Sequence, residues 1–121
     1  ATPRGFFTTM GNTVERACSV LVDTGADLVG SNCGNGVEAM VELAREFAAH
    51  TRVPIVIQSN AGLPENRGGE LHYPESPEFM AERVDALVDL GVAVIGGCCG
   101  TGPDHIRAIR AAIDHHRTAA S

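Results

Sequence analysis

The chain has 121 residues, 44% of them hydrophobic, which is enough apolar material for one core and a single domain over residues 1–121. A formal net charge of −6 without any Lys/Arg cluster argues against nucleic-acid binding, which needs concentrated positive charge. No apolar run nears the roughly 20 residues of a bilayer span, and residues 1–15 lack a signal-peptide pattern, so no membrane contact and a cytoplasmic location are expected.

Hydrophobic periodicity divides the chain into four strand-helix units. The first pairs a strand near residues 5–8, leading through Met10-Gly11-Asn12, with a helix over about 13–24. On that helix Val14, Cys18, Leu21 and Val22 form an apolar stripe, and Cys18 is read as a core residue. The second unit is a strand at 28–32 and a helix at about 37–50. The third strand, 54–59, is followed by a long Gly/Pro-rich connection and a helix at about 77–90. A fourth strand at 92–96 leads to a helix that starts near Pro103, with Asp104 in its first turn. The strands are β-branched and nearly free of charge, as parallel strands covered on both faces are, so the fold class is α/β with parallel strands. Thr24 to Gly30 and Leu90 to Gly96 are similar, and in both a glycine, Gly25 or Gly91, ends a helix before the next strand. Four such units amount to half of an eight-fold barrel, whose inner face and two strand edges need cover. A second copy of the chain, a chain carrying the complementary half, or a repacked open sheet would each provide it.

Cys33 lies in Gly-Ser-Asn-Cys-Gly-Asn-Gly, and Cys98 and Cys99 lie in Gly-Gly-Cys-Cys-Gly-Thr, each where a strand hands over to a helix. Vicinal cysteines make a strained disulfide, and on a continuous strand they would point to opposite faces. Gly96, Gly97 and Gly100, like Gly30, Gly34 and Gly36 around Cys33, offer turns that could aim all three sulfurs into one space. Three thiolates there would bind Zn²⁺ with a net charge of about −1 and a fourth position open. Asn60, just past the third strand, could fill that position as a weak ligand which a substrate thiol displaces; an Asx-type turn or helix cap accounts for it equally well. A thiol bound to zinc is held as the thiolate, whereas a free thiol has a pKa of about 8.5. The reaction class favoured is alkyl transfer to sulfur.

These motifs resemble those of the zinc-dependent homocysteine S-methyltransferases, a family that includes the homocysteine-binding module of cobalamin-dependent methionine synthase. Gly-Ser-Asn-Cys-Gly-Asn-Gly is similar to the family's motif after the sixth barrel strand, Asn-Ala-Gly-Leu-Pro (from Asn60) to that after the seventh, and Gly-Gly-Cys-Cys-Gly-Thr-Gly-Pro-Asp-His-Ile to that after the eighth. The resemblance runs from about Gly5 to Ala112. It implies four units equivalent to the second half of a (βα)₈ TIM barrel, with Cys33, Cys98 and Cys99 as catalytic zinc ligands and Asn60 completing the coordination until homocysteine arrives. It further implies methyl transfer to the homocysteine thiol, giving methionine, within a larger assembly: a homo-oligomer or a pairing with a complementary half-barrel chain. The methyl donor would be a methyl-corrinoid protein or a small methylated compound; Asn-Ala-Gly-Leu-Pro and Tyr73-Pro74 favour the cobalamin-linked branch.

Two other functional classes compete: a non-catalytic zinc-binding or assembly subunit, and phosphate binding by glycine-rich turns at helix N-termini, although no P-loop or Gly-x-Gly-x-x-Gly motif occurs. His50, His105, His115 and His116 are read as surface residues of helices, and His72 as a residue that could line the cleft. Glu65, Asn66 and Arg67 are read as solvated loop, and Asp23 and Asp27 as turn residues.

Overall fold

The computed structural model describes residues 6–8, 11–34 and 36–120. Strands β1 (Val29–Cys33), β2 (Ile55–Ser59) and β5 (Val92–Gly97) form a parallel sheet in the order β1-β2-β5. Helix α1 (Val14–Asp23) precedes β1, α2 (Val37–His50) joins β1 to β2, α3 (Pro77–Ala81) and α4 (Val84–Asp89) precede β5, and α5 (Pro103–Ala120) follows it. Three of the four expected strands therefore pair. Of the first, Gly5 lies outside the described residues, as does Met10 of the turn after it. Phe7 makes a single antiparallel bridge to Thr13.

One face of the sheet is apolar and covered. Ile55 and Ile57 of β2, Val29 of β1 and Val92 of β5 are buried against Met40, Ala44 and Phe47 of α2 and Leu87 of α4. A second cluster joins Val37, Met80 and Val84 to Ile109 of α5. The opposite face carries the layers Gly30-Val56-Val94 and Asn32-Gln58-Gly96, in which Val94 remains 45% exposed. This is the alternation of a sheet with helices on one side only.

Helix ends follow their local chemistry. Thr13 caps α1 by accepting from the Arg16 N–H, and Ser76 caps α3 through the Phe79 N–H. Gly25 ends α1 at φ 100°, with Ala26 N–H donating to Leu21 C=O and Gly25 N–H to Val22 C=O, the doubled closure that a left-handed residue permits. On α1 only Val14 and Cys18 are buried; Leu21 and Val22 are exposed because they border open grooves beside α2. The helix expected over 77–90 breaks at Glu82-Arg83. There the Arg83 guanidinium takes the Phe79 carbonyl that its own N–H would have used, and the N–H bonds Met80 C=O instead.

The connection from β2 to α3, expected to be solvated loop, contains a hairpin, β3 (Glu65–Arg67) with β4 (Glu70–His72). Gly68 and Gly69, at φ 61° and 88°, form its two-residue turn.

Candidate metal centre

All three cysteines of interest lie at the C-terminal edge of the sheet. Cys33 ends β1, level with Ser59 of β2 and Gly97 of β5, and Cys98 and Cys99 follow at once. β2 lies between them, so about 10 Å of sheet, two inter-strand spacings, separates the cysteine-bearing strands. The sulfurs must meet over the end of β2. Cys33 makes this possible by taking φ 69°, the one non-glycine residue with positive φ among those described. Cys98 and Cys99 leave the strand in a tight turn closed by Thr101 N–H and Thr101 Oγ1, both donating to Cys98 C=O at 3.2 and 2.7 Å. As turn residues the pair escape the alternation that would have sent their side chains to opposite faces. Sulfurs of Cys33, Cys98 and Cys99 all lie within 4.8 Å of one another, with Cys98 and Cys99 3.9 Å apart.

The glycines divide the work differently from the sequence reading. Gly34 and Gly100 hold φ 77° and 80°, whereas Gly96 and Gly97 are strand residues of ordinary backbone. Gly97 is needed for space, because a side chain there would overlap Thr101; at Gly100 it would enter the Tyr73 ring.

The end of β2 ties the two cysteine turns together. Ser59 C=O accepts from Cys98 N–H at 2.8 Å, and Asn60 N–H donates to Cys33 C=O at 3.2 Å. Asn60, 5% exposed, extends this with its side chain: Oδ1 accepts from Cys99 N–H and Nδ2 donates to Gly34 C=O, each at 3.0 Å. Its carboxamide thus bridges the Cys33-Gly34 turn and the Cys98-Cys99 turn.

The thiols are unequal. Burial pushes the Cys98 thiol up, but hydrogen bonds from the Cys99 backbone and thiol, from the Asn32 carboxamide at 3.7 Å and from Cys33 outweigh it and hold the thiol below its ordinary range. The Cys99 thiol is held above it, first by its hydrogen bonds to Cys98 and Cys33 and then by the repulsion of their charge. Cys18 is far from this group in the core, 1% exposed, where burial pushes its thiol up.

Polar contacts among the segments that follow the cysteine turns involve two residues assigned no site role from sequence. Glu75 Oε1 accepts from Val37 N–H at 2.9 Å, and the His105 ring accepts from Gly102 N–H at Nδ1 and bonds Glu75 C=O through Nε2 at 2.9 Å. His105 is therefore a bridge between α5 and the long connection. These contacts also occupy the backbone N–H groups of Val37 and Gly102, at helix starts where a phosphate reading would place its anion. No histidine joins the sulfur group among the described residues: His50, His72 and His115 are exposed, and His116 sits between Asp85 and Asp89 at 2.7 and 3.3 Å. Glu65 and Arg67 pair with each other on the exposed hairpin. Asp23 ends α1 and Asp27 lies in the following turn, both exposed.

Three converging sulfurs suit a thiophilic ion. A metal-sulfur distance of about 2.3 Å at tetrahedral angles separates sulfurs by about 3.8 Å, close to the spacing of Cys98 and Cys99. No described helix is long and apolar enough to cross a membrane.

Residues 2–113 match the homocysteine S-methyltransferase family profile. The methionine synthases of Mycobacterium leprae and Mycobacterium tuberculosis are 36% and 35% identical over 105 residues, which is 86% of this chain and 9% of either relative. Among solved structures, the homocysteine methyltransferase MmuM from Escherichia coli is similar in its apo form with TM-score 0.69 and 21% identity, covering 92% of this chain and 37% of that one. Its metallated form gives 0.65 and 22%, covering 84% of this chain and 30% of that one. The structural likeness shows the fold, a stretch of the strand-helix units of a TIM barrel. With a match spanning nearly all of its length, the chain belongs to the homocysteine S-methyltransferase family.

Proposed function

We propose that this chain carries the zinc and thiol centre of a homocysteine methyltransferase. One observation carries the reading: Cys33, Cys98 and Cys99, from strands that do not pair with each other, bring their sulfurs within 4.8 Å at the C-terminal edge of the sheet. The strand ends are where barrel enzymes keep their chemistry. Zinc held by these three residues would supply thiol activation, stabilising homocysteine sulfur in its deprotonated form at neutral pH.

The chain's own part is to hold the three sulfurs on one side and leave the opposite side free. Cys99 is exposed and Cys33 and Cys98 are half-buried, so the group faces outward. In the transfer, homocysteine sulfur forms a bond to the methyl carbon, the donor's own bond to that carbon breaks with its electron pair left on the donor, and the thiol proton leaves to solvent. A methyl-corrinoid protein is the donor that the motif resemblance favours over a small methylated compound. Asn60 acts through its neighbours in this reading: with Oδ1 on Cys99 N–H and Nδ2 on Gly34 C=O, it braces the ligand turns, and any ligation by Oδ1 would compete with the Cys99 contact.

Strands β1 and β5 each pair on one side only among the described residues, and Val94 is exposed on the uncovered face. We therefore place the activity in an assembly that adds strands at these edges, either a second copy or a chain with the complementary half of the barrel. Metal analysis of the purified protein tests the centre. About one zinc per chain is expected, falling to background in Cys98→Ser, and unchanged zinc in that variant would refute the ligand assignment. Methionine formation with homocysteine, methyl donor and partner then separates catalysis from metal storage.

A further inference from the structure

Glu75 commits each of its polar groups to a different segment around the sulfurs. Its side chain reaches the start of α2: Oε1 accepts from Val37 N–H at 2.9 Å, and Oε2 lies where a side chain on Gly36 would have to go. Its N–H donates to Ala61 C=O at 3.0 Å, and Ala61 N–H in turn donates to Cys99 C=O at 3.0 Å. Its C=O takes the His105 ring at 2.9 Å, and that ring is fixed at its other nitrogen by Gly102 N–H at 3.2 Å. One residue of the long connection thus fastens the segment after Cys33, the segment after β2 and the segment after Cys98-Cys99.

The side-chain link has a particular consequence. Cys33 is in the left-handed region, followed by Gly34 and then Gly36 at φ 130°, so local backbone preference does little to fix where its sulfur points. Asn60 holds the Cys33 and Gly34 carbonyls on one side, and the anchoring of the helix that follows holds the other end of the segment. The Gly36 N-cap has no side chain to offer α2, and Glu75 gives the first helical N–H, that of Val37, an acceptor from 38 residues away at the positive end of the helix. The φ of 130° already favours glycine at residue 36, and a larger side chain there would also displace the Glu75 carboxylate.

The geometry points to Glu75 as a positioning residue that sets Cys33 against Cys98 and Cys99. This rests on the proposed metal centre for its purpose, but its structural content does not depend on a metal. Gln at 75 keeps an acceptor for Val37 N–H, whereas Ala removes it.

Two measurements on the whole chain test the assignment. In metal-free protein equilibrated with reduced and oxidised glutathione, the equilibrium constant for disulfides joining Cys33 to Cys98 or Cys99 reports how well the sulfurs are held together. Mass-spectrometric fragmentation identifies the pairs. Glu75→Ala should lower it about tenfold, the order expected from losing one hydrogen bond to a charged group, and Glu75→Gln should restore most of the loss. Glu78→Ala, on the exposed first turn of α3, should leave it unchanged. Co²⁺ titration followed by thiolate-to-metal absorption should then show weaker binding and an altered spectrum in Glu75→Ala only. An unchanged disulfide equilibrium in Glu75→Ala would overturn the positioning role. A tenfold fall there, with wild-type protein taking no Co²⁺, would instead refute the metal centre and leave the positioning role standing.

Discussion

Replacing Asn60 with alanine separates bracing from ligation, because the two roles have different consequences when no metal is present. The substitution removes two hydrogen bonds of 3.0 Å from a side chain that is 5% exposed, those to Cys99 N–H and from Nδ2 to Gly34 C=O. Each is worth about 1 kcal/mol net. Gly34 and Cys99 lie at the exposed edge, where water can satisfy the orphaned groups, so the loss should stay near about 2 kcal/mol rather than rise to the full cost of two buried unsatisfied groups. An unfolding entropy of about 2.1 cal/mol/K per residue makes 1 kcal/mol worth about 4 °C in a chain of 121 residues, so the melting temperature should fall by about 8 °C. Calorimetry in chelator and reductant measures this without metal. Asn60→Asp keeps the acceptor for Cys99 N–H but turns an anionic oxygen toward Gly34 C=O, so it should lose at least half as much. An unchanged metal-free melting temperature in Asn60→Ala, together with weakened metal binding, would refute the bracing role and leave Asn60 a ligand only.

The inequality of the thiols predicts an order of labelling. Thiolate is the reactive form, and Cys98 is held below the ordinary thiol range while Cys99 is held above it. As pH rises through the neutral and alkaline range, iodoacetamide should therefore modify Cys98 at a lower pH than Cys99 in metal-free protein; peptide-resolved mass spectrometry giving the reverse order would contradict the hydrogen-bond assignment. Gly100→Ala puts a side chain into the Tyr73 ring at φ 80°. It should cost about 2–4 kcal/mol from backbone strain and overpacking together, read by urea denaturation, and should impair metal binding by shifting the adjacent Cys99.

The fold was legible wherever one physical signal dominated. The helix expected over about 37–50 matches its observed limits because an apolar face follows a glycine-rich turn, and the strands before Asn60 and Cys98 are legible from their uncharged β-branched runs. The hairpin of Glu65–Arg67 and Glu70–His72 was missed because its six residues are exposed and mostly polar, leaving only Gly68-Gly69 as a signal. The break at Glu82-Arg83 was illegible because it depends on where one guanidinium finds its acceptors, including Glu38 on another helix. At the candidate site, the convergence of the three cysteines is legible from their glycine-flanked positions at strand ends. Glu75 and His105 were not, since each acts through backbone groups far away in sequence. The glycines show the same division: left-handed conformation at Gly34 and Gly100 could be anticipated, but the need for space at Gly97 arises only once Thr101 folds back over it.

Cys33 concentrates the conflict between local preference and site geometry. A cysteine at φ 69° carries a strain of about 1–2 kcal/mol relative to the right-handed region, which glycine would not carry. Nothing in packing demands a side chain there, since Cys33 is only half-buried. The residue is thus kept in an unfavourable conformation for what its sulfur meets. Cys33→Gly and Cys33→Ala both delete that sulfur, and both should lose the metal, but only glycine relieves the strain. Glycine's greater freedom in the unfolded chain offsets part of that relief. Metal-free Cys33→Gly should therefore exceed Cys33→Ala in stability by about 1 kcal/mol, or about 4 °C in melting temperature by the same entropy scale. If the two variants melt together, the strain at Cys33 is no larger than glycine's added freedom in the unfolded chain, and the sulfur triad forms with little draw on the stability of the fold.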